Sequence, residues 1–108
     1  MRYEVVLTER AKQQLDAASA WYDGNAPEIA NDWYNGFLDA LTSLEINPDQ
    51  HSIARESNEF VTQIRQLLFG LGKRKTHRAV FSIHRDRVVV RAIRHLSQRD
   101  LERDDLLP

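Results

Sequence analysis

The chain has 108 residues, 42% of them hydrophobic, with no cysteine and a formal net charge of −1. A chain of that length is expected to be one domain with its own core. The missing cysteines exclude a disulfide framework and thiolate metal sites, in keeping with a reducing cytosol.

In chain order, Arg2 to Leu7 predicts a first strand, because Tyr3, Val5 and Val6 favour the pleated state. Thr8 can then cap a helix, with Glu9 near its positive end. Ala11, Leu15, Ala18 and Tyr22 make one apolar stripe, and the helix is expected to stop near Asp23-Gly24-Asn25. A second helix is expected from Pro27, with a stripe of Ala30, Trp33, Phe37, Leu41 and Leu44 and an end at Asn47-Pro48. Two such helices joined by a short loop read as an antiparallel hairpin, with Trp21, Trp33 and Phe37 in its core.

Asp49 to Phe60 lacks periodicity and reads as a loop. Three strands are predicted after it, at about Val61 to Phe69, His77 to His84 and Arg87 to Ile93. Lys73-Arg74-Lys75 tips the loop between the first two, and Arg85-Asp86 suits a tight turn between the last two. The tail from Gln98 to Leu107 can close the chain with a short helix. The fold class is therefore α+β: two layers in the order β-α-α-β-β-β. A helical hairpin packs on one face of a small, mostly antiparallel sheet. The other face is expected to stand partly open and to carry arginines.

Charge is segregated along the chain. Residues 1–50 hold three basic residues against nine acids, and residues 51–99 hold eleven against three. The last nine residues are acidic again. Arg65, Arg78, Arg91 and Arg94 fall in the predicted strands, with His95 directly after Arg94. Arginines that converge on one face of a sheet suit an anion or an acidic partner. A solvated surface with uneven charge is the competing reading. No apolar run reaches the length of a membrane span, and the N-terminus turns polar too soon for a signal peptide, so a cytoplasmic protein is expected. His77 and His84 lack metal-ligand spacing, and no P-loop, dinucleotide fingerprint or nucleophile elbow is present, so neither metal nor cofactor is expected.

The order and residues together resemble the RelE/ParE superfamily of toxins from type II toxin–antitoxin operons. The matching pieces are Ala11-Lys12-Gln13-Gln14-Leu15, Ala30 to Leu44 with Asn47-Pro48, Ile64 to Gly70, His77 to Phe81 and Ile93-Arg94-His95. The resemblance implies a growth-inhibiting toxin with a cognate antitoxin. It also implies one of two targets, because RelE-like members cut messenger RNA on the ribosome whereas ParE-like members poison DNA gyrase.

Cleavage through a 2′-hydroxyl needs a base, an acid and cations for the phosphate. Glu56, Arg65, Arg78 and His95 are the candidate nuclease set, with Glu59 an alternative base. Against it, RelE-like nucleases often carry a tyrosine at the end of the last strand. Every tyrosine here, Tyr3, Tyr22 and Tyr34, lies in the N-terminal third. His95 directly after the strand arginine matches the ParE-like pattern. The preferred expectation is a gyrase inhibitor that contacts its target through Arg65, Arg78, Arg91, Arg94 and His95. The alternative is a ribosome-dependent mRNA endoribonuclease. Arg65 and Arg78 can equally pair with Glu56 or Glu59 and pin the preceding loop to the sheet.

Overall fold

The computed structural model describes residues 2–106. Strand β1 spans Glu4–Leu7. Helix α1 spans Glu9–Asn25 and α2 spans Pro27–Thr42, with Ala26 between them. Strands β2, β3 and β4 span Arg65–Phe69, His77–Ile83 and Arg87–His95. The sheet order is β1-β4-β3-β2. β2, β3 and β4 form an antiparallel meander, and β1 pairs in parallel with β4. The sheet is therefore mixed, with the last strand placed beside the first.

Local chemistry sets most of these boundaries. The Thr8 hydroxyl accepts the Ala11 N–H at 3.1 Å and satisfies one orphan donor at the start of α1. Pro27 opens α2, where its missing N–H is harmless. The predicted run of α2 to Asn47 is too long. The helix ends at Thr42, a 3-10 turn carries Ser43–Glu45, and Asn47 adopts left-handed geometry at φ 48°. Asn tolerates that geometry, and the proline after it disfavours helical backbone. Leu44 stays fully buried on the 3-10 turn, so it keeps its place in the core although its helix has ended. Gly36 lets α2 lie close to the sheet, because a Cβ there would meet the Phe69 ring at 2.9 Å.

β2 begins at Arg65, four residues later than predicted, and Val61 is fully exposed. β4 runs two residues further than predicted, to His95. The Arg85-Asp86 turn forms, with the His84 N–H donating to the Arg87 carbonyl at 2.7 Å. A short 3-10 turn at Arg103–Leu106 stands within the predicted C-terminal helix, and Leu107 lies outside the described residues.

The two faces of the sheet are covered differently. The helical hairpin buries twelve described residues on one face, among them Ala11, Leu15, Trp33, Phe37, Leu41, Leu67, Phe81 and Ile93. A smaller second core of Ala54, Ile64, Val80, Ala92 and Leu101 closes the other, with Phe60 and Leu106 packed against it. The expectation of a partly open arginine face is thus corrected: Arg78 is 1% exposed and Arg94 6%. The cover is made by the segment before β2 and the segment after β4. Neither has helical or strand periodicity, which is why the sequence pattern did not reveal it.

Candidate functional site

β3 alternates sides, so Ala79 and Phe81 face the helices while Arg78, Val80 and Ser82 face the second core. Arg78 lies opposite Arg94 across the β3–β4 ladder. The register shifts after Val80, so that Val80 pairs with Ala92 and Phe81 with Val90. Arg91 is the extra residue of this β-bulge, and bulges re-aim side chains. Its Nε donates to the Ser82 hydroxyl at 2.9 Å. Arg78, Arg91 and Arg94 therefore do converge on one face. Arg65 does not join them: it pairs with Phe81 in the ladder, on the helix side, and donates to the His51 carbonyl at 2.7 Å.

Arg78 forms a buried fork with Glu56. One nitrogen donates to Oε1 at 2.9 Å, the other donates to Oε2, and Gln66 accepts a further hydrogen bond at 3.0 Å. Glu56 is itself only 3% exposed and also accepts the Leu101 N–H at 2.9 Å. Burial alone would raise its pKa. The Arg78 fork and the Leu101 N–H outweigh that and hold it at about 2. Glu56 and Arg78 thus pin both covering segments to the sheet, which is the structural role the sequence left open for Arg78. Glu59, the alternative base, lies on a 3-10 turn and takes no part in this fork.

Arg94 is held differently. One of its terminal nitrogens donates to the Arg99 carbonyl at 2.6 Å, and its Nε has no partner among the described residues. Burial pulls its pKa below the usual arginine value, while the nearby Asp105 charge acts in the opposite direction.

His95 leaves the arginines behind. It ends β4 on the helix side and is exposed, with its ring centre 5.0 Å from that of His77, its ladder partner. Its Nδ1 accepts the Ser97 N–H at 3.0 Å. A backbone N–H can only donate, so a neutral His95 carries its proton on Nε2. His77 is buried against Trp33, Tyr22 and Phe37, and burial, with His95 second, lowers its pKa to about 4. The two histidines share a groove of about 430 Å³ with Gln14, Trp21, Tyr22 and Ile93. Sequence reasoning missed this groove. It placed Trp21 in the core, whereas Trp21 is 58% exposed at the groove wall. The signal was available: Trp21 falls outside the Ala11–Leu15–Ala18–Tyr22 stripe.

The candidate nuclease set is therefore not assembled. Glu56 and Arg78 meet, Arg65 stands on the other side of the sheet, and His95 stands on the helix side at the strand end. No group of three or more histidines and acids that could hold a metal occurs among the described residues. No helix among them is long and apolar enough to cross a membrane.

Comparison with known proteins places this geometry in context. Residues 5–100 match the family described as ParE toxin of type II toxin-antitoxin system, parDE. A solved structure described as the chromosomal ParDE TA system from P. aeruginosa is similar in fold, with a TM-score of 0.69 at 21% identity. The likeness covers 89% of this chain and 98% of that one. No curated protein matches the chain.

Proposed function

We propose that this chain, which belongs to the ParE toxin family of type II toxin–antitoxin systems, arrests growth by binding and inhibiting DNA gyrase and cuts no nucleic acid. One observation carries the non-cleaving reading. Glu56, the only buried carboxylate among the described residues, is locked to Arg78 on one side of the sheet, while His95 stands on the other. General acid–base cleavage needs its acid and base on opposite flanks of one phosphate, within hydrogen-bond reach of it. These two groups have a sheet between them.

Contact with the target would fall first to the accessible members of the sequence-derived set, Arg65, Arg91 and His95. The exposed Lys73-Arg74-Lys75 loop extends them. Arg78 and Arg94 could join only if their cover moved. The cognate antitoxin would dock over the helical hairpin and its groove, where Trp21 offers an exposed aromatic anchor. The edge strand β2, with Leu68 41% exposed, offers a second contact for an extended segment.

The test is plasmid supercoiling by purified gyrase with the purified chain added, run beside primer extension on messages from induced cells. Loss of supercoiling with intact messages is expected. Ribosome-dependent message cleavage with unaffected gyrase would replace this reading with the endoribonuclease.

A further inference from the structure

The second face of the sheet holds more positive than negative charge. Arg78 and Arg94 are both buried there, and Glu56, already committed to Arg78, is the single buried carboxylate among the described residues. Arg94 takes part in no ion pair among the described residues. Its one side-chain hydrogen bond among the described residues goes to a neutral carbonyl, and its Nε–H is buried without an acceptor there. A guanidinium is shaped to grip an oxyanion with two parallel donors. A buried guanidinium whose donors are partly idle, lying across the ladder from a second one, keeps donors that an oxyanion could accept.

The cover over this site is built from charge as much as from apolar packing. Residues 97–106 carry four carboxylates against two arginines. Arg99 and Asp105 clasp the segment on itself, with two hydrogen bonds of 2.8 and 3.0 Å, and Asp105 also accepts the Glu102 N–H at 2.7 Å. Asp105 is drawn down to about 2 by that clasp. Arg10 donates to the Asp104 carbonyl at 2.6 Å, and Arg55 pairs with Asp100. These polar ties are exposed, and exposed ion pairs hold weakly. Leu101 is the buried apolar anchor, and Leu106 packs only partly. A segment held this way opens locally well before the helix-covered core does.

We propose that residues 97–106 are an acidic strap over an oxyanion site at Arg94, and that a phosphate-class anion binds Arg94 when the strap lifts. Glu56 stays bonded to Arg78 in the open form, so the fold survives while Arg94 is uncovered. The strap's own carboxylates exclude free anions from the site when it is closed. The site does not depend on which machine the chain inhibits. The anion can be a free phosphate or the phosphodiester of a nucleic acid, since both present the same oxygens to the guanidinium.

The experiment uses the full chain, labelled with nitrogen-15, and follows the Arg94 Nε–H resonance. It is titrated with pyrophosphate and, separately, with a short DNA duplex at low salt. Asp105→Asn removes the clasp, and Asp104→Asn removes the same charge from a side chain that takes no part in it. Asp105→Asn is expected to bind one of the two probes about fivefold or more tighter than Asp104→Asn, because it populates the open form. The Arg94 Nε–H should shift as that probe saturates, and adding Arg94→Ala should abolish the gain. Leu101→Ala, which loosens the apolar anchor, should show the same gain if it remains folded by circular dichroism. A response to DNA alone assigns a phosphodiester, and a response to pyrophosphate assigns a free phosphate. Equal binding by Asp105→Asn and Asp104→Asn, or a gain that survives Arg94→Ala, overturns the proposal.

Discussion

The two faces of this sheet are closed by opposite means. One is covered by regular amphipathic helices over a core of aromatic and aliphatic side chains. The other is covered by irregular segments over five small or aliphatic residues and a set of buried charges. The first face is held mainly by area and volume, which respond little to salt, and His77 is the titratable group buried within it. The second is held by hydrogen-bonded charge, which is strong only while every partner stays in place. A toxin of a toxin–antitoxin system can use both: a fixed apolar scaffold on one side and a surface that responds to charge on the other.

Mutations should separate the two regimes. Phe37→Ala removes a fully buried ring from between Trp33 and Phe69, and chemical denaturation should show a loss of about 3–5 kcal/mol. Arg78→Ala also empties a large buried volume, and in addition it strands the Glu56 carboxylate. It should destabilise by about 3 kcal/mol, and the double change Arg78→Met with Glu56→Leu should recover most of that. If Arg78→Met alone, which keeps the volume and leaves Glu56 unpaired, is as stable as the double variant, packing and not charge closes the second face.

The pH dependence should distinguish the faces by window. His77 is neutral in the fold, and its pKa is lowered from 6.5 to about 4. The unfolded chain therefore binds more protons below pH 6.5, and stability falls as pH drops from 6.5 toward 4, by roughly 3 kcal/mol in all. Glu56 acts lower, because its pKa is depressed from 4.5 to about 2. Its contribution is complete above 4.5 and is lost as pH falls toward 2. Melting temperatures of His77→Phe should slope less than those of wild type between pH 6.5 and about 4.5, the remaining slope coming from His51, whose pKa is lowered by burial and by the Arg65 charge. A slope unchanged by the substitution would move the upper titration to another group. The smallest effect is at the start of α1, where Thr8→Ala should cost about 1 kcal/mol through the lost cap, at any pH in this range.

What could be read from the sequence follows the same division. The Ala11–Tyr22 and Ala30–Leu44 stripes, the Thr8 cap and the alternation of β3 were legible, because regular elements print their period on the chain. The order β-α-α-β-β-β and the family resemblance followed from them. The second face was not legible. Its cover has no period, and the Arg78–Glu56 pair joins residues 22 positions apart through a loop. The sequence offered both fates for Arg78, open face and ion pair, and only the three-dimensional path of residues 54–64 and 97–106 decides between them. Trp21 shows a different shortfall. Tryptophan is so often interior that its residue type outweighed its position off the helix stripe.

Native-state hydrogen exchange tests the contrast most directly. The Leu101 amide, bonded to the Glu56 carboxylate, reports on the second face, and the Ile93 amide, bonded to the Gln14 side chain at 2.8 Å, reports on α1 docked against β4. The account predicts that Leu101 exchanges through a local opening well below the global unfolding free energy, and that this opening grows with salt, while Ile93 exchanges only near global unfolding. Equal protection of the two amides at low and high salt would mean that both faces close as one unit, and would contradict it.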